Sequence, residues 1–217
     1  TNNRNFTLLG DPAVTLTYPQ HRVATTSIQG HAISSIDDTL KALSKVTIQG
    51  EIRDKDGNKL TNFQGLVYPT VYDKADSIQT LGNKPDESIV TRFKLRKNII
   101  YRGKASVKNG EFSFTFIVPK DIAPQYGDGR ISYYAQDGTT DAAGYFEDVQ
   151  IGGRNPNALA DNAGPGVKLY MNDERFSRGG ITDENPKLLA LISDENGVNT
   201  VGNGIGHDLT AILDNKS

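Results

Sequence analysis

The chain has 217 residues and a formal net charge of −2, because 24 Lys and Arg are set against 26 Asp and Glu. A charge this balanced gives no support for nucleic acid or an anionic membrane as a partner. The sequence has no cysteine, which excludes disulfides, zinc–thiolate sites and a cysteine nucleophile within these residues.

The N-terminal residues contain a short apolar run, Asn5–Pro12 (NFTLLGDP), which a Gly-Asp-Pro turn ends. We interpret residues 1–20 as the tail of an upstream domain. Further on, Asp38–Leu43 is the one helical candidate, because its first residues resemble a helix cap. The 22 Gly and 9 Pro in the whole chain favour many turns and short strands, and therefore an all-β fold.

Residues 21–153 carry the alternation that is typical of strands. Apolar side chains alternate along Val46–Ile52, and the turn-forming run Asp54–Asn58 (DKDGN) predicts a hairpin with a strand at Gly65–Asp73. Pro69 has no N–H to donate, so it predicts that this second strand lies at an edge or has a bulge.

The clearest strand is Glu111–Val118, where three Phe and one Val share one face. The turn Lys108–Gly110 predicts an antiparallel hairpin between it and Asn98–Val107. Further strands are predicted at Ser88–Leu95, Arg130–Ala135 and Gly144–Ile151. About seven strands in 21–153 favour an immunoglobulin-like antiparallel β-sandwich.

Residues 154–166 are rich in Gly, Pro and Asn and are expected to link two domains. Residues 167–217 are expected to form an incomplete second β domain, with strands at Val167–Met171, Lys187–Ser193 and Leu209–Leu213. Because three strands hardly enclose a core and the last one has no partner, we interpret the sequence as a piece of a larger protein.

Acidic residues cluster in turns, at Asp54, Asp56 and Asn58; Asp137 and Asp141; Asp173 and Glu174; Asp183 and Glu184; and Asp194, Glu195 and Asn196. The Asp-x-Asp-x-Asn start is similar to a calcium loop, but Lys59 and Gly65 stand where an EF-hand needs glycine and a bidentate Glu. Hydrogen bonding within the turns is the favoured interpretation, and a bound calcium ion is the alternative.

His207, next to Asp208, follows Gly202, Gly204 and Gly206. This spacing is not that of a dinucleotide-binding loop, and no serine lies in a recognisable nucleophile elbow. We therefore predict a surface loop here. His21 and His31 are isolated, so the histidines predict no metal site, and no cofactor is expected.

Six tyrosines are numerous for a region without Trp: Tyr68, Tyr72, Tyr101, Tyr133, Tyr134 and Tyr145. Tyrosine serves well on protein contact surfaces and on sugar platforms. Filling of the core or of strand edges is the favoured interpretation, because strands in general favour aromatic residues.

Four stretches of the sequence together resemble a known family. Asn5–Pro19 (NFTLLGDPAVTLTYP) resembles the end of the catalytic domain in gingipain-type cysteine peptidases. Tyr101–Ile122, Ile131–Tyr145 and Glu195–Asp214 resemble the region after that domain in PorU-type sortases of the type IX (Por) secretion system of Bacteroidetes. The similarity runs in order over nearly the whole chain.

The resemblance implies a parent protein at the cell surface, on the outer membrane, that cleaves the C-terminal sorting domain from cargo and helps attach cargo to lipopolysaccharide. The family's catalytic Cys and His lie in the upstream domain, so no catalytic residue is carried over to this chain. The implied partners are the upstream peptidase domain and an outer-membrane barrel (PorV-like).

Two hypotheses about function follow. The first is a non-catalytic arm that supports the peptidase domain and contacts partners. The second is an adhesive or carbohydrate-binding surface module, which the tyrosines and the acidic turns suggest. An enzyme acting within this chain is the least favoured alternative.

Overall fold

In the computed structural model of the chain, the structure describes residues 17–35, 39–83, 89–158, 163–195, 198 and 210–212. Within these residues the fold is almost entirely β, with one 3-10 turn at Ile33–Ser35. The all-β class is therefore confirmed. No helix among the described residues is long and apolar enough to span a membrane.

The strands follow one another closely along the chain. In order, they are β1 (His21–Ile28), β2 (His31–Ala32), β3 (Leu40–Ala42), β4 (Lys45–Arg53), β5 (Gly65–Tyr72), β6 (Asp76–Gln79), β7 (Arg92–Leu95), β8 (Ile99–Arg102), β9 (Ala105–Lys108), β10 (Glu111–Ile117), β11 (Gly127–Asp128), β12 (Arg130–Gln136), β13 (Asp141–Phe146), β14 (Gln150–Arg154), β15 (Gly166–Met171) and β16 (Leu188–Ser193).

Seven of these strands form a closed sheet in the order β1, β4, β10, β9, β5, β12, β13 and back to β1. Strand β9 pairs on one side with β10 and on the other with β5, and β1 pairs in parallel with β13. A two-sheet sandwich keeps its hydrogen-bonding edges separate, whereas these pairings join them. The immunoglobulin-like sandwich is therefore not confirmed.

The core lies inside this closed sheet. The inward face of β10 carries Phe112, Phe114 and Phe116, which are all buried, as the alternation of Glu111–Val118 predicts. The Tyr101 ring stacks on two of them, with its centroid 4.8 Å from that of Phe116 and 5.5 Å from that of Phe114. Burial of each phenylalanine contributes roughly 1.5–3 kcal/mol of transfer free energy.

The predicted hairpin at Lys108–Gly110 is confirmed. Glu111 pairs with Lys108, and Phe112 pairs with Val107. Asn109 and Gly110 both have positive φ, 53° and 74°, which is the conformation that a tight two-residue hairpin turn requires. The predicted strand Asn98–Val107, however, is divided into β8 and β9.

Two predictions made from local patterns are wrong. The turn Asp54–Asn58 closes only an isolated bridge between Arg53 and Lys59, and β5 then pairs with β8, β9 and β12 rather than with β4. Residues Leu40–Ala42 of the helical candidate form strand β3, which pairs with β14. Leu40 is fully buried there, so tertiary burial outweighs the local signal for a helix.

Pro69 lies in the middle of β5, not at an edge of the sheet. On one side it faces Tyr133 of β12. On the other side the neighbour changes from β9, opposite Gly65–Val67, to β8, opposite Thr70–Tyr72. Its carbonyl accepts a hydrogen bond from Gly103 N at 3.2 Å. Because the nitrogen and the carbonyl of one strand residue point to the same side, the Pro69 nitrogen faces the junction between β9 and β8, where its missing N–H breaks no strand pairing.

The other predicted strands have these outcomes. Arg130–Ala135 corresponds to β12, and Gly144–Ile151 is divided into β13 and β14. Of the predicted strand Ser88–Leu95, Ser88 lies outside the described residues and Arg92–Leu95 forms β7. Val167–Met171 and Lys187–Ser193 correspond to the antiparallel pair β15 and β16. The predicted strand at Leu209–Leu213 lies largely outside the described residues, and Asn5–Pro12 lies wholly outside them.

Candidate contact surface

The outward side chains of β5, β12 and β13 place three exposed tyrosines on one face. Tyr68 and Tyr134 are direct partners across the β5–β12 ladder, and their ring centroids lie 6.2 Å apart. Tyr145, on β13, lies opposite Ser132 of β12 and is 63% exposed. We call Tyr68, Tyr134 and Tyr145 the outer tyrosine face.

Two of the remaining tyrosines of the predicted set, Tyr101 and Tyr133, pack in or against the core. Tyr133 is buried and Tyr101 is partly buried against the phenylalanines of β10. Burial raises the pKa of both hydroxyls above the ordinary value, and for Tyr133 a hydrogen bond with Thr25 acts in the opposite direction. The set that the sequence predicts thus divides between the core and the surface, because neighbouring residues of a strand point to opposite faces.

A second feature lies at one end of this face, where a cleft of about 420 Å³ opens between β7 and the outer side of β5 and β12. Its lining residues are Tyr72, Lys94, Leu95, Arg96, Arg130 and Ser132. We call it the basic cleft, because three of the six are cationic and none is acidic. The Arg130 guanidinium carbon also lies 4.6 Å from the centroid of the Tyr145 ring, so the cleft and the tyrosine face are continuous.

Sequence reasoning missed the basic cleft. The signal present was the alternation of cations along Arg92, Lys94 and Arg96. Nothing in the sequence shows that these three cations lie near Arg130, which is far away along the chain. Only the tertiary arrangement brings these side chains together.

The acidic turn residues stabilise turns, as predicted. Asp54 Oδ1 accepts hydrogen bonds from the backbone N of Asp56 and of Asn58, at 2.8 and 2.9 Å. Asp137 Oδ1 accepts from the backbone N of Thr139 and of Thr140, at 2.8 and 2.7 Å. Hydrogen bonds to the charged form lower the pKa of both carboxyls.

The segment between β15 and β16 shows the same use of acidic side chains. Asp173 accepts a hydrogen bond from Arg175 Nη2 at 2.7 Å, and this hydrogen bond lowers the pKa of the Asp173 carboxyl. Asp183 accepts one from the backbone N of Asn185. Within the part of the chain that the structure describes, no group of three or more His, Asp or Glu is arranged to hold a metal ion.

The histidines are not brought together. His21 lies at the start of β1 and His31 in the short strand β2, at the opposite end of β1. His207, Asp208 and the three glycines that precede them lie outside the described residues. The predicted surface loop at this position therefore stays a prediction.

Comparison with solved structures finds a similar protein of known structure. The chain is similar to the dimeric latent PorU of Porphyromonas gingivalis, with a TM-score of 0.66 and 32% sequence identity over 96% of the chain. It spans only 20% of that protein's length. Spo0M, a sporulation control protein of Bacillus subtilis, aligns over 63% of the chain and 51% of its own length, with 16% identity and a TM-score of 0.32, and carries no argument. No protein-family model and no curated protein matches the chain.

Proposed function

Because the chain is a PorU-like segment, we propose that it is a non-catalytic β region of a type IX secretion sortase. It supports the peptidase domain of the same protein and contacts partners at the outer-membrane surface. The observation that carries this proposal is the match to PorU over 96% of the chain. The absence of cysteine agrees with it, because a cysteine peptidase needs its nucleophile elsewhere.

The proposal includes a domain organisation. Residues 1–20 are the tail of the peptidase domain, 21–153 the first β domain, 154–166 a linker and 167–217 part of a second β domain. The exposed apolar residues of the β15–β16 hairpin support the last assignment: Val167, Leu169 and Leu188 are each more than half exposed. A two-stranded hairpin is marginally stable alone, so further strands of the parent protein would cover it.

The outer tyrosine face is the proposed contact surface for a protein partner. Tyrosine offers a large contact area at a low cost in side-chain entropy, and it is enriched among residues that dominate binding energy. The partners in this proposal are the upstream peptidase domain and a PorV-like outer-membrane barrel. The location at the cell surface is part of the same proposal.

Two observations on the parent protein test the proposal. The gene upstream of this segment should encode a domain with a Cys and His pair, and a different domain there would overturn the proposal. The full-length protein should also copurify with a PorV-like barrel from outer membranes. Loss of that copurification on replacement of Tyr68 and Tyr134 would assign the contact to the outer tyrosine face, whereas unchanged copurification would remove this surface from the proposal.

A carbohydrate-binding or adhesive module is the second candidate. The paired rings of Tyr68 and Tyr134 on an exposed sheet face favour it, because aromatic faces can stack on sugar rings. Binding on a glycan array, or melting that depends on calcium, would support this function. No binding on the array, together with a melting temperature that calcium does not change, would exclude it.

A further inference from the structure

We propose that the basic cleft binds a single oxyanion, the carboxylate or phosphate group of a small acidic ligand. This inference rests on the geometry of the cleft and does not depend on the proposed function. A volume of about 420 Å³ lies within the range of small-molecule sites, roughly 300–1,000 Å³.

The charge of the cleft favours an anion. Lys94, Arg96 and Arg130 line it, and the carboxylate in contact with two of them is that of Glu147. Among the described residues, this one carboxylate leaves an excess of positive charge at this point of the surface. Guanidinium groups suit carboxylate and phosphate in particular, because their planar forks can donate two parallel hydrogen bonds.

The contacts of Glu147 leave both guanidinium groups with donors to spare. Its Oε1 lies 3.4 Å from Arg96 Nη1 and 3.3 Å from Arg130 Nη1. Charge-assisted hydrogen bonds of this kind are ordinarily about 2.7–2.9 Å long. The two arginines therefore converge on one carboxylate oxygen, at distances longer than this range. A second acceptor would improve their hydrogen bonding.

The Nε atoms of Arg96 and Arg130 supply an independent observation. Both are buried and have no hydrogen-bond partner. A buried donor without an acceptor costs about 1–3 kcal/mol, so native proteins rarely leave such a donor unpaired. In this proposal, an oxyanion bound between the two side chains supplies the missing acceptor.

The walls of the cleft suit a compact polar ligand. The Ser132 hydroxyl can donate or accept a hydrogen bond, and the Tyr72 ring offers a flat wall. Leu95 is the only aliphatic side chain among the lining residues. Affinity should therefore come from charge and hydrogen bonds, and it should fall as the salt concentration rises.

Nuclear magnetic resonance of the 217-residue chain tests the proposal directly, because arginine Nε–H groups give their own signals. The probes are inorganic phosphate and glutarate, each added at low salt and compared with sodium chloride at equal ionic strength. We expect saturable shifts of the Arg96 and Arg130 Nε–H signals with at least one probe, and the two titrations distinguish phosphate from carboxylate. Shifts that match those with sodium chloride would overturn the proposal.

Variants locate the site. R96Q and R130Q should each weaken binding roughly tenfold, since each removes a charge-assisted hydrogen bond. E147Q should tighten binding several-fold, because it removes the competing internal carboxylate. R92Q is the matched control, since Arg92 lies on β7 with Lys94, is exposed and does not line the cleft.

Thermal melting of each variant checks that it remains folded. Should R130Q unfold, R96Q and K94Q still test the proposal, because Lys94 lies on β7 and Arg96 directly follows it, so that neither residue is in the closed sheet. Equal affinity in R92Q, R96Q and K94Q would contradict the proposal.

Discussion

The side-chain oxygens of Thr25 and Tyr133 lie 2.8 Å apart inside the closed sheet. Thr25 is on β1 and Tyr133 on β12, and both residues are buried. The two strands are neighbours of β13 on opposite sides. This hydrogen bond therefore joins side chains across the interior, in addition to the backbone ladders.

Thr25→Val should destabilise the protein by about 1–3 kcal/mol, because the Tyr133 hydroxyl would then be buried without a partner. The double variant T25V/Y133F should recover most of this loss, since it removes both polar groups. Urea unfolding of the wild type, both single variants and the double variant measures the coupling. Equal stability of T25V and the wild type would show that the hydrogen bond has no net effect.

Gly50→Ala should destabilise the closed sheet by about 1–3 kcal/mol or more. A Cβ at this position would meet the ring of Phe112 and lie 2.6 Å from the Ala24 carbonyl oxygen. Gly164→Ala is the matched control, because a Cβ there would have open space around it. Denaturant unfolding compares the two variants, and equal effects would contradict the close packing at Gly50.

Asp137→Asn should change how stability depends on pH. Hydrogen bonds from the turn lower the pKa of the folded-state carboxyl, so its contribution is present above the unfolded-state pKa and is lost as pH falls through the folded-state value. The wild type should therefore lose stability relative to the variant below about pH 4. Urea unfolding at several pH values measures this difference, and parallel pH profiles would contradict it.

Replacing Tyr68 and Tyr134 by Ser in the full-length protein should reduce cargo processing or copurification with partners, while the melting temperature changes little. Tyr68 is 36% exposed and Tyr134 is 45% exposed, so both are surface residues and their loss should leave the core intact. Tyr18→Ser is the control, since Tyr18 is an exposed tyrosine that lies outside the three strands of this face. Equal behaviour of the control and the double variant would remove the contact role.

Limited proteolysis should cleave first between Gly152 and Gly166 if residues 154–166 link two units. Composition supports this expectation, because Gly, Pro and Asn are frequent there and large apolar groups are few. Mass spectrometry of the early fragments identifies the cut. First cleavage within 21–153 would contradict the proposed domain organisation.

Local patterns predicted the strands well where one face is buried. The alternation in β10 and the Asn109–Gly110 turn are each a pattern that spans only a few residues, and both are confirmed. Strand partners were harder to predict. The position of β5 depends on its pairing with β8, β9 and β12, which the turn at Asp54–Asn58 does not reveal.

Prediction of the candidate site was limited for the same reason. The tyrosines could be identified in the sequence, but their division between core and surface depends on which face of each strand is inward. The basic cleft combines the end of β7 and Arg96 with Arg130, and no periodic signal connects residues so far apart. Tertiary contact alone defines it.

The most direct test of the central claim, that this chain is a non-catalytic part of a sortase, is a peptidase assay on cargo that carries its C-terminal sorting domain. The purified 217-residue chain and the full-length protein are compared at equal concentration. We expect the full-length protein to release the sorting domain and the chain alone to release none. Cleavage by the chain alone would contradict the claim.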